Sequence, residues 1–150
     1  MYSDGSALTQ LPRAECLKLM ASVSVGRVIY TRRALPAVEL VSFAFDAGDI
    51  VLRTDIGGKL AAAARGAVVA FEADWVDLDQ QVGWRVTAIG PSRAVTEPDE
   101  IGRLKAIGLS SWTPGAPAHF IRISPEILNG RYLRANGQQC PGRQPAGLFT

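Results

Sequence analysis

Short turns, and not helices, separate most of the strand-like segments in this sequence of 150 residues. Residues 27–31, 38–45 and 50–52 are rich in β-branched, aromatic and other apolar side chains, which favour strands. A turn is predicted at residues 32–34, and residues 46–49 carry a hairpin signal of aspartate and glycine. Because strands do not alternate regularly with helices, the sequence predicts an antiparallel sheet.

The rest of the sequence extends this pattern to six or seven strands and three short helices. Thr96 is the predicted cap of one helix, which ends at Gly108. Gly90 and Pro91 predict a bend within a long strand, since proline cannot donate to a ladder. The sum is a mainly β protein, an antiparallel β-barrel with peripheral helices. The other predicted helices cover residues 13–21 and 60–64, and the other predicted strands cover residues 67–73, 81–95, 119–123 and a segment within 126–133, with an acidic connection at 74–80.

The chain divides into a single domain with two polar ends. A length of 150 residues suits one domain with a real core. Residues 1–10 are predicted to be a flexible N-terminus and residues 11–133 the folded domain. Residues 134–150 are polar and rich in proline and glycine, which predicts a mobile C-terminal tail.

Composition excludes several classes of function. A net charge of +2 with interspersed acids and bases argues against a nucleic-acid binder. No run of 18 apolar residues occurs, so no membrane span is expected, and residues 1–6 lack the features of a signal peptide. Two cysteines without a partner pattern and a single histidine predict no metal site and a cytoplasmic protein.

The most informative stretch for function runs from a strand through a glycine-containing loop into a helix. Lys59 falls in the first helical turn, where the macrodipole disfavours a cation by roughly 0.3–1 kcal/mol unless an anion is present. The glycines that precede it would let an anion approach the backbone. We therefore predict a phosphate site formed by Arg53, Thr54, the backbone amides of the loop and Lys59. The alternative is that Asp55 caps the helix and both cations are solvated.

Several groups of residues, in this order along the chain, resemble one known family. Together they run from about Leu11 to Leu133 and are similar to the pyridoxamine 5′-phosphate oxidase-like flavin-binding proteins, in particular to their small actinobacterial branch. The groups are residues 15–23 and 26–28, 35–38, 53–54 with 58–60, 69–74, and 83–90.

The resemblance implies a six- to seven-stranded split β-barrel of the FMN-binding type. It also implies a homodimer with two cofactor sites at the interface. In such proteins the loop described above binds the FMN phosphate, one strand lies beside the isoalloxazine ring, and a later strand approaches from the partner chain. The implied cofactor-binding residues are Glu39, Leu40, Val41, Ser42, Arg53, Thr54, Gly58 and Lys59, with Trp84 and Arg85 from the partner and Trp112 near the ring.

Three functions follow as alternatives. The first is an FMN-dependent oxidoreductase acting on a small molecule, without an assigned catalytic side chain, because the cofactor carries the chemistry. The second is a reductase that uses the deazaflavin F420, whose acidic tail would need basic residues such as Arg27, Arg32 and Arg33. The third is a non-catalytic flavin or haem carrier, or a barrel that has lost its cofactor, which is suggested because Ser42 and Phe43 replace the residues that relatives often have. Trp84 has an alternative of its own, as a core residue of the barrel.

Overall fold

A computed structural model of the chain describes residues 10–54, 60 and 65–134. Residues 1–9, the loop that contains Gly58 and Lys59, and the predicted tail from residue 135 lie outside the described residues. The described chain forms a mainly β fold, as predicted. No helix in these ranges is long and apolar enough to cross a membrane.

Seven strands and two named helices make up the described structure. The bounds of the strands and helices are α1 Arg13–Ala21, β1 Val25–Arg32, β2 Leu35–Asp46, β3 Asp49–Thr54, β4 Arg65–Asp77, β5 Val82–Ala94, α2 Pro98–Lys105, β6 His119–Ile123 and β7 Ile127–Arg134. Leu60, the described residue between β3 and β4, is helical and fully buried.

Six of the strands close into an antiparallel barrel. Their order is β4-β1-β2-β3-β6-β5, and the pairing of β4 with β5 completes the circle. The seventh strand, β7, pairs with the first part of β5, residues 82–89. β5 changes its partner at Gly90 and Pro91: the residues before them pair with β7, and those after them pair with β6. The predicted irregularity in the long strand is therefore the point at which β5 leaves one neighbour for another.

The barrel interior is filled because alternate residues of each strand point inward. Phe71 of β4 and Phe43 of β2 meet there with their ring centroids 4.7 Å apart. Trp84 and Leu60 are fully buried in the same cluster, and Cys16 of α1 packs against it. A smaller apolar cluster lies outside the barrel, beneath α2, around Val51, Leu104 and Phe120.

Several boundaries differ from the sequence-based prediction: α2 ends at Lys105 and not at Gly108, and β4 begins at Arg65. β4 runs on to Asp77, so most of the predicted acidic connection is strand, and Trp75 pairs with Trp84. Glu97, and not Thr96, is the N-cap of α2, and no side chain caps that helix. Proline at the first helical position has the φ angle of a helix and no N–H of its own to satisfy, which favours a helix start at Pro98.

A candidate cofactor site where two strands diverge

A cavity opens at the end of β3, where β2 continues and no described strand pairs with it on that side. β3 pairs with β2 only from Ser42 onward, opposite Arg53, while β1 pairs with β2 over its earlier part as well. The cavity has a volume of about 270 Å³. Its lining residues come from β2, from the end of β3 and from the loop before β6: Glu39, Leu40, Val41, Arg53, Thr54, Trp112 and Thr113.

The edge of β2 in this cavity carries backbone groups that no other strand uses. The register of β2 with β3 begins at Ser42, and within the described residues no other backbone hydrogen bond reaches residues 39–41 from that side. Buried backbone N–H and C=O groups are rarely left without a partner. An unpaired strand edge beside a cavity is therefore suited to a planar ligand that has both donors and acceptors on its rim.

Arg53 connects the cavity to the loop that carries Trp112. Its guanidinium donates to the backbone carbonyls of Leu109 at 3.2 Å and of Ala116 at 3.4 Å, which are the two ends of this loop. Within the loop, Ser111 donates its hydroxyl to the Thr113 carbonyl at 2.7 Å. Arg53 thus holds in place the segment that positions the half-exposed indole of Trp112.

A carboxylate lies at one side of the cavity, and a buried phenol orients it. Tyr30 of β1 donates its hydroxyl to Glu39 at 2.8 Å. Burial, together with this hydrogen bond, raises the pKa of Tyr30, so the phenol remains a donor near neutral pH. The two residues are diagonal neighbours on the inward side of β1 and β2. Tyr30 was not among the predicted site residues, because its relation to Glu39 depends on strand register.

Six of the predicted site residues are brought together in this one cavity. Ser42 is buried beside it, directly opposite Arg53 in the β2–β3 pair. Gly58 and Lys59 lie outside the described residues. The six residues in the cavity lining are Glu39, Leu40, Val41, Arg53, Thr54 and Trp112.

Trp84 and Arg85 are not part of this cavity. Because successive strand residues point to opposite faces, the two side chains point in different directions, and their predicted approach to a flavin from the partner chain stays a prediction. Trp84 is fully buried in the barrel core, as in the alternative stated for it above. Arg85 points outward and lines a separate pocket on β5 and β7.

Comparison with known proteins agrees with this architecture. Residues 12–144 match the family model described as pyridoxamine 5′-phosphate oxidase. The chain belongs to this family, which confirms the resemblance found in the sequence. An uncharacterised protein of Mycobacterium tuberculosis is 36% identical over 136 residues, which cover 87% of this chain and 89% of that protein.

Two solved structures show the same split β-barrel. A Corynebacterium glutamicum protein named after pyridoxamine 5′-phosphate oxidase superimposes with a TM-score of 0.73 at 31% identity, covering 84% of this chain and 98% of that protein. A protein of Mycobacterium smegmatis described as FAD-binding gives a TM-score of 0.69 at 29% identity, covering 85% and 98%. The predicted fold class is therefore confirmed.

Proposed function

We propose that this chain binds a flavin in the cavity between β2 and β3 and works as a flavin-dependent oxidoreductase. The observation that carries the proposal is the unpaired edge of β2, which faces Arg53 and Trp112 across a cavity. The M. smegmatis relative described as FAD-binding supports the choice of ligand.

The described residues fit the parts of such a cofactor. The N–H and C=O groups of residues 39–41 are suited to the polar edge of an isoalloxazine ring, and Trp112 supplies an aromatic surface. Arg53 and Thr54 supply a cation and a hydroxyl for the phosphate, with the backbone amide of Gly58 and the ammonium group of Lys59 as the proposed remainder of that site. Arg53 would then have two roles, since it also anchors the loop of Trp112.

The chain is proposed to act as a homodimer with the site at the interface. A cavity of about 270 Å³ falls just below the range of roughly 300–1,000 Å³ typical of small-molecule sites, so a single chain encloses too little of a flavin. Leu40 lines the cavity and is also half exposed on the outer face of β2, next to Val38, which is 62% exposed. A second copy that covers this apolar face would also supply the missing wall of the cavity.

The chemistry would come from the cofactor, since a bound flavin accepts and donates hydride. The protein would contribute orientation through the β2 edge and exclusion of water through Trp112 and the partner chain. Glu39, held by Tyr30, would place a negative charge beside the ring and disfavour anionic substrates there. The substrate proposed is therefore a small neutral or cationic molecule.

FMN is preferred over F420, because F420 needs a groove with several available cations and one of the three arginines considered for it is already paired. Arg27, one of the three arginines considered for it, is already paired with Asp74 at 3.2 Å and lies 3.7 Å from Glu72. FAD is a second candidate, since the M. smegmatis relative is described as FAD-binding. The three cofactors differ in mass and are easily told apart after release.

The test is the absorbance spectrum of the purified protein, followed by mass spectrometry of the molecule released on denaturation. We expect a yellow protein that releases FMN or FAD. Arg53→Ala should weaken binding of the cofactor by about ten- to a hundredfold, since a charge-assisted hydrogen bond contributes roughly 1.5–3 kcal/mol. Fluorescence titration of the stripped protein measures this change.

Lys18→Ala is the control, because Lys18 is exposed on α1 and outside the cavity. It removes a positive charge and should leave flavin affinity unchanged. A colourless protein without affinity for FMN, FAD or F420 would contradict the proposal. Reduction of the bound flavin by NADH or NADPH separates an oxidoreductase from a non-catalytic carrier, for which no reduction is expected.

A further inference from the structure

A second pocket lies on the outer face of β5 and β7 and shares no residue with the flavin cavity. Its volume is about 320 Å³. The lining contains two arginines, two amide side chains and a hydroxyl, but no carboxylate: Gln10, Arg85, Thr87, Asn129, Gly130 and Arg131. Such a set is rich in hydrogen-bond donors and carries a local positive charge.

The two arginines face each other directly across the strand pair. Arg85 of β5 is the register partner of Arg131 of β7. Like charges at directly opposite positions destabilise a sheet. Both side chains are exposed, and within the described residues neither forms a hydrogen bond or an ion pair. Asp74, which lies opposite Arg85 on β4, is paired with Arg27 at 3.2 Å.

A second pair of arginines in the same barrel shows how such a repulsion can be relieved. Arg93 of β5 and Arg122 of β6 are also register partners. The carboxylate of Glu100 lies between them, with Oε1 at 2.9 Å from Arg93 and at 2.7 Å from Arg122. The pair formed by Arg85 and Arg131 has the same cross-strand arrangement, but in the described part of the chain no carboxylate bridges it, and Glu72 interacts with Arg85 only at longer range.

Neighbouring side chains extend the pocket with further polar groups. Gln10 forms a bridge beside Arg131 on the free edge of β7 and donates its side-chain amide to the Asn129 carbonyl oxygen at 2.9 Å. This bond leaves the amide N–H groups of Asn129 available to the pocket. Thr87, the register partner of Asn129, adds a hydroxyl.

We infer that this pocket binds the phosphate group of a small molecule between Arg85 and Arg131. Guanidinium groups bind phosphate oxygens with paired, charge-assisted hydrogen bonds, and two of them match its double charge. The volume leaves room for more than the phosphate itself, so a phosphorylated metabolite is the ligand class that fits. The pocket shares no residue with the flavin cavity of the same chain, and the inference does not rest on the proposed function. Because Arg85 is also predicted to approach the flavin of a partner chain, the site is tested first without flavin.

The test measures the melting temperature with and without a phosphate ligand in protein that has been stripped of flavin and has lost Arg53. Arg53→Ala removes the cation of the other proposed phosphate site. Inorganic phosphate and phenyl phosphate are added separately, against chloride at equal ionic strength. We expect the melting temperature to rise with at least one of the two ligands, and adding Arg131→Gln should weaken the apparent affinity about tenfold or more.

The matched control is Arg65→Gln in the same background, since Arg65 is exposed on β4 and outside the pocket. It should leave the phosphate effect intact. In chloride alone, the Arg131→Gln change should not lower the melting temperature, because it relieves a repulsion. If Arg53→Ala does not fold, Arg131→Gln and Arg65→Gln are compared in protein that keeps Arg53. That protein is saturated with FMN, so that the other proposed phosphate site is occupied.

Each remaining outcome contradicts the inference. A phosphate effect that is equal with and without Arg131 would place the anion elsewhere, and no effect of either ligand would mean that the pocket does not bind phosphate. Because the first arm uses protein without flavin, its result is the same whether or not the flavin proposal holds.

Discussion

At the scale of single residues, Gly90 is the position where the backbone leaves least room. A side chain there would collide with the backbone of Ser124 and lie close to that of Glu126, where the chain passes from β6 to β7. Backbone atoms cannot move aside as a flexible side chain can. We expect Gly90→Ala to lower the free energy of unfolding by about 3 kcal/mol or more, measured by urea denaturation.

Gly102 provides the matched control, since it lies in α2 and nothing would meet a methyl group there. Gly102→Ala should raise the free energy of unfolding by about 0.5–1 kcal/mol, because alanine loses less backbone entropy in a helix. Equal effects of the two substitutions would refute the steric argument for Gly90.

The sequence predicts which residue types form the candidate site better than it predicts their contacts. Arg53 was identified as a cation at a strand end, and it lies in the cavity. Its hydrogen bonds to Leu109 and Ala116 join positions more than 50 residues apart in sequence, which no local pattern encodes. The inward burial of Trp84 depends on its register within the barrel and was left open between ligand contact and core.

At the scale of elements, Arg122 joins the β2–β3 hairpin, β6 and α2. It is 4% exposed and bonds to Asp46, to Asp49 at 3.2 Å and to Glu100 at 2.7 Å. Loss of the arginine would remove the buried partner of all three carboxylates and leave Asp46 and Glu100 with only the exposed Arg103 and Arg93. We expect Arg122→Leu to lower the free energy of unfolding by about 3–5 kcal/mol, as is usual when one partner of a buried ion pair is removed.

Arg103→Leu is the comparison, because Arg103 also bonds to Asp46, at 2.7 Å, but is mostly exposed. It should cost at most about 1 kcal/mol. Hydrogen bonds from Arg103 and Arg122 lower the pKa of Asp46, and those from Arg93 and Arg122 lower the pKa of Glu100. Stability from both groups is therefore complete above their unfolded pKa values and is lost as the pH falls through the lowered ones.

On the outer face of β4, Glu72 gives stability the opposite dependence on pH from that of Asp46 and Glu100. Burial and the neighbouring Asp74 raise the pKa of Glu72 to about 7. The folded chain then holds this proton more tightly than the unfolded chain, so Glu72 reduces stability progressively as the pH rises from about 4.5 to about 7. Glu72→Gln should flatten this part of the pH profile and stabilise the protein at pH 8.

The measurement is the melting temperature across this pH range. Glu126→Gln serves as the control, since Glu126 is exposed and distant from Glu72 on the outer face of β4. It should leave the profile unchanged. A wild-type stability that rises between pH 5 and pH 7 in step with the Glu72→Gln variant would contradict the assignment.

Helices and strands were predicted best where the residues typical of turns and the alternation of apolar and polar side chains indicate the same boundary. The hairpin at residues 46–49 has positive φ at Ala47 and Gly48, and its strands begin and end there as expected. The failure in β4 has a physical cause: Asp74 and Asp77 resemble loop residues in sequence. In the barrel, Asp74 points outward to Arg27 while Trp75 packs against the core, so charge patterning alone cannot distinguish the exposed side of a strand from a loop.

At the scale of the whole molecule, an apolar surface extends across the outer faces of β4, β1 and β2. Ile29 pairs with Ala70 on one side and with Val38 on the other. Val68 of β4 is 67% exposed. Antiparallel sheets that face water usually carry polar residues on that side, so this surface is suited to burial against a second copy. Its continuity with the cavity at Leu40 links the proposed dimer to the proposed site.

If the dimer forms through this surface, a charge at its centre should prevent both assembly and flavin binding. Val38→Glu leaves the monomer fold intact, since Val38 is 62% exposed, but would bury an unpaired carboxylate between two copies. We expect the wild type to elute as a dimer and Val38→Glu as a monomer in size-exclusion chromatography with light scattering. Affinity for flavin should fall at least tenfold, because each site would lose one wall.

Leu78→Glu introduces the same charge at an 82% exposed position in the turn between β4 and β5, away from this surface. It should remain dimeric and retain flavin. A Val38→Glu protein that stays dimeric would show that another face forms the interface, while a wild-type monomer with full flavin affinity would show that one chain suffices. The combination of lost assembly and lost flavin in Val38→Glu alone is the result that only a site completed by the partner explains, because Val38 itself does not line the cavity.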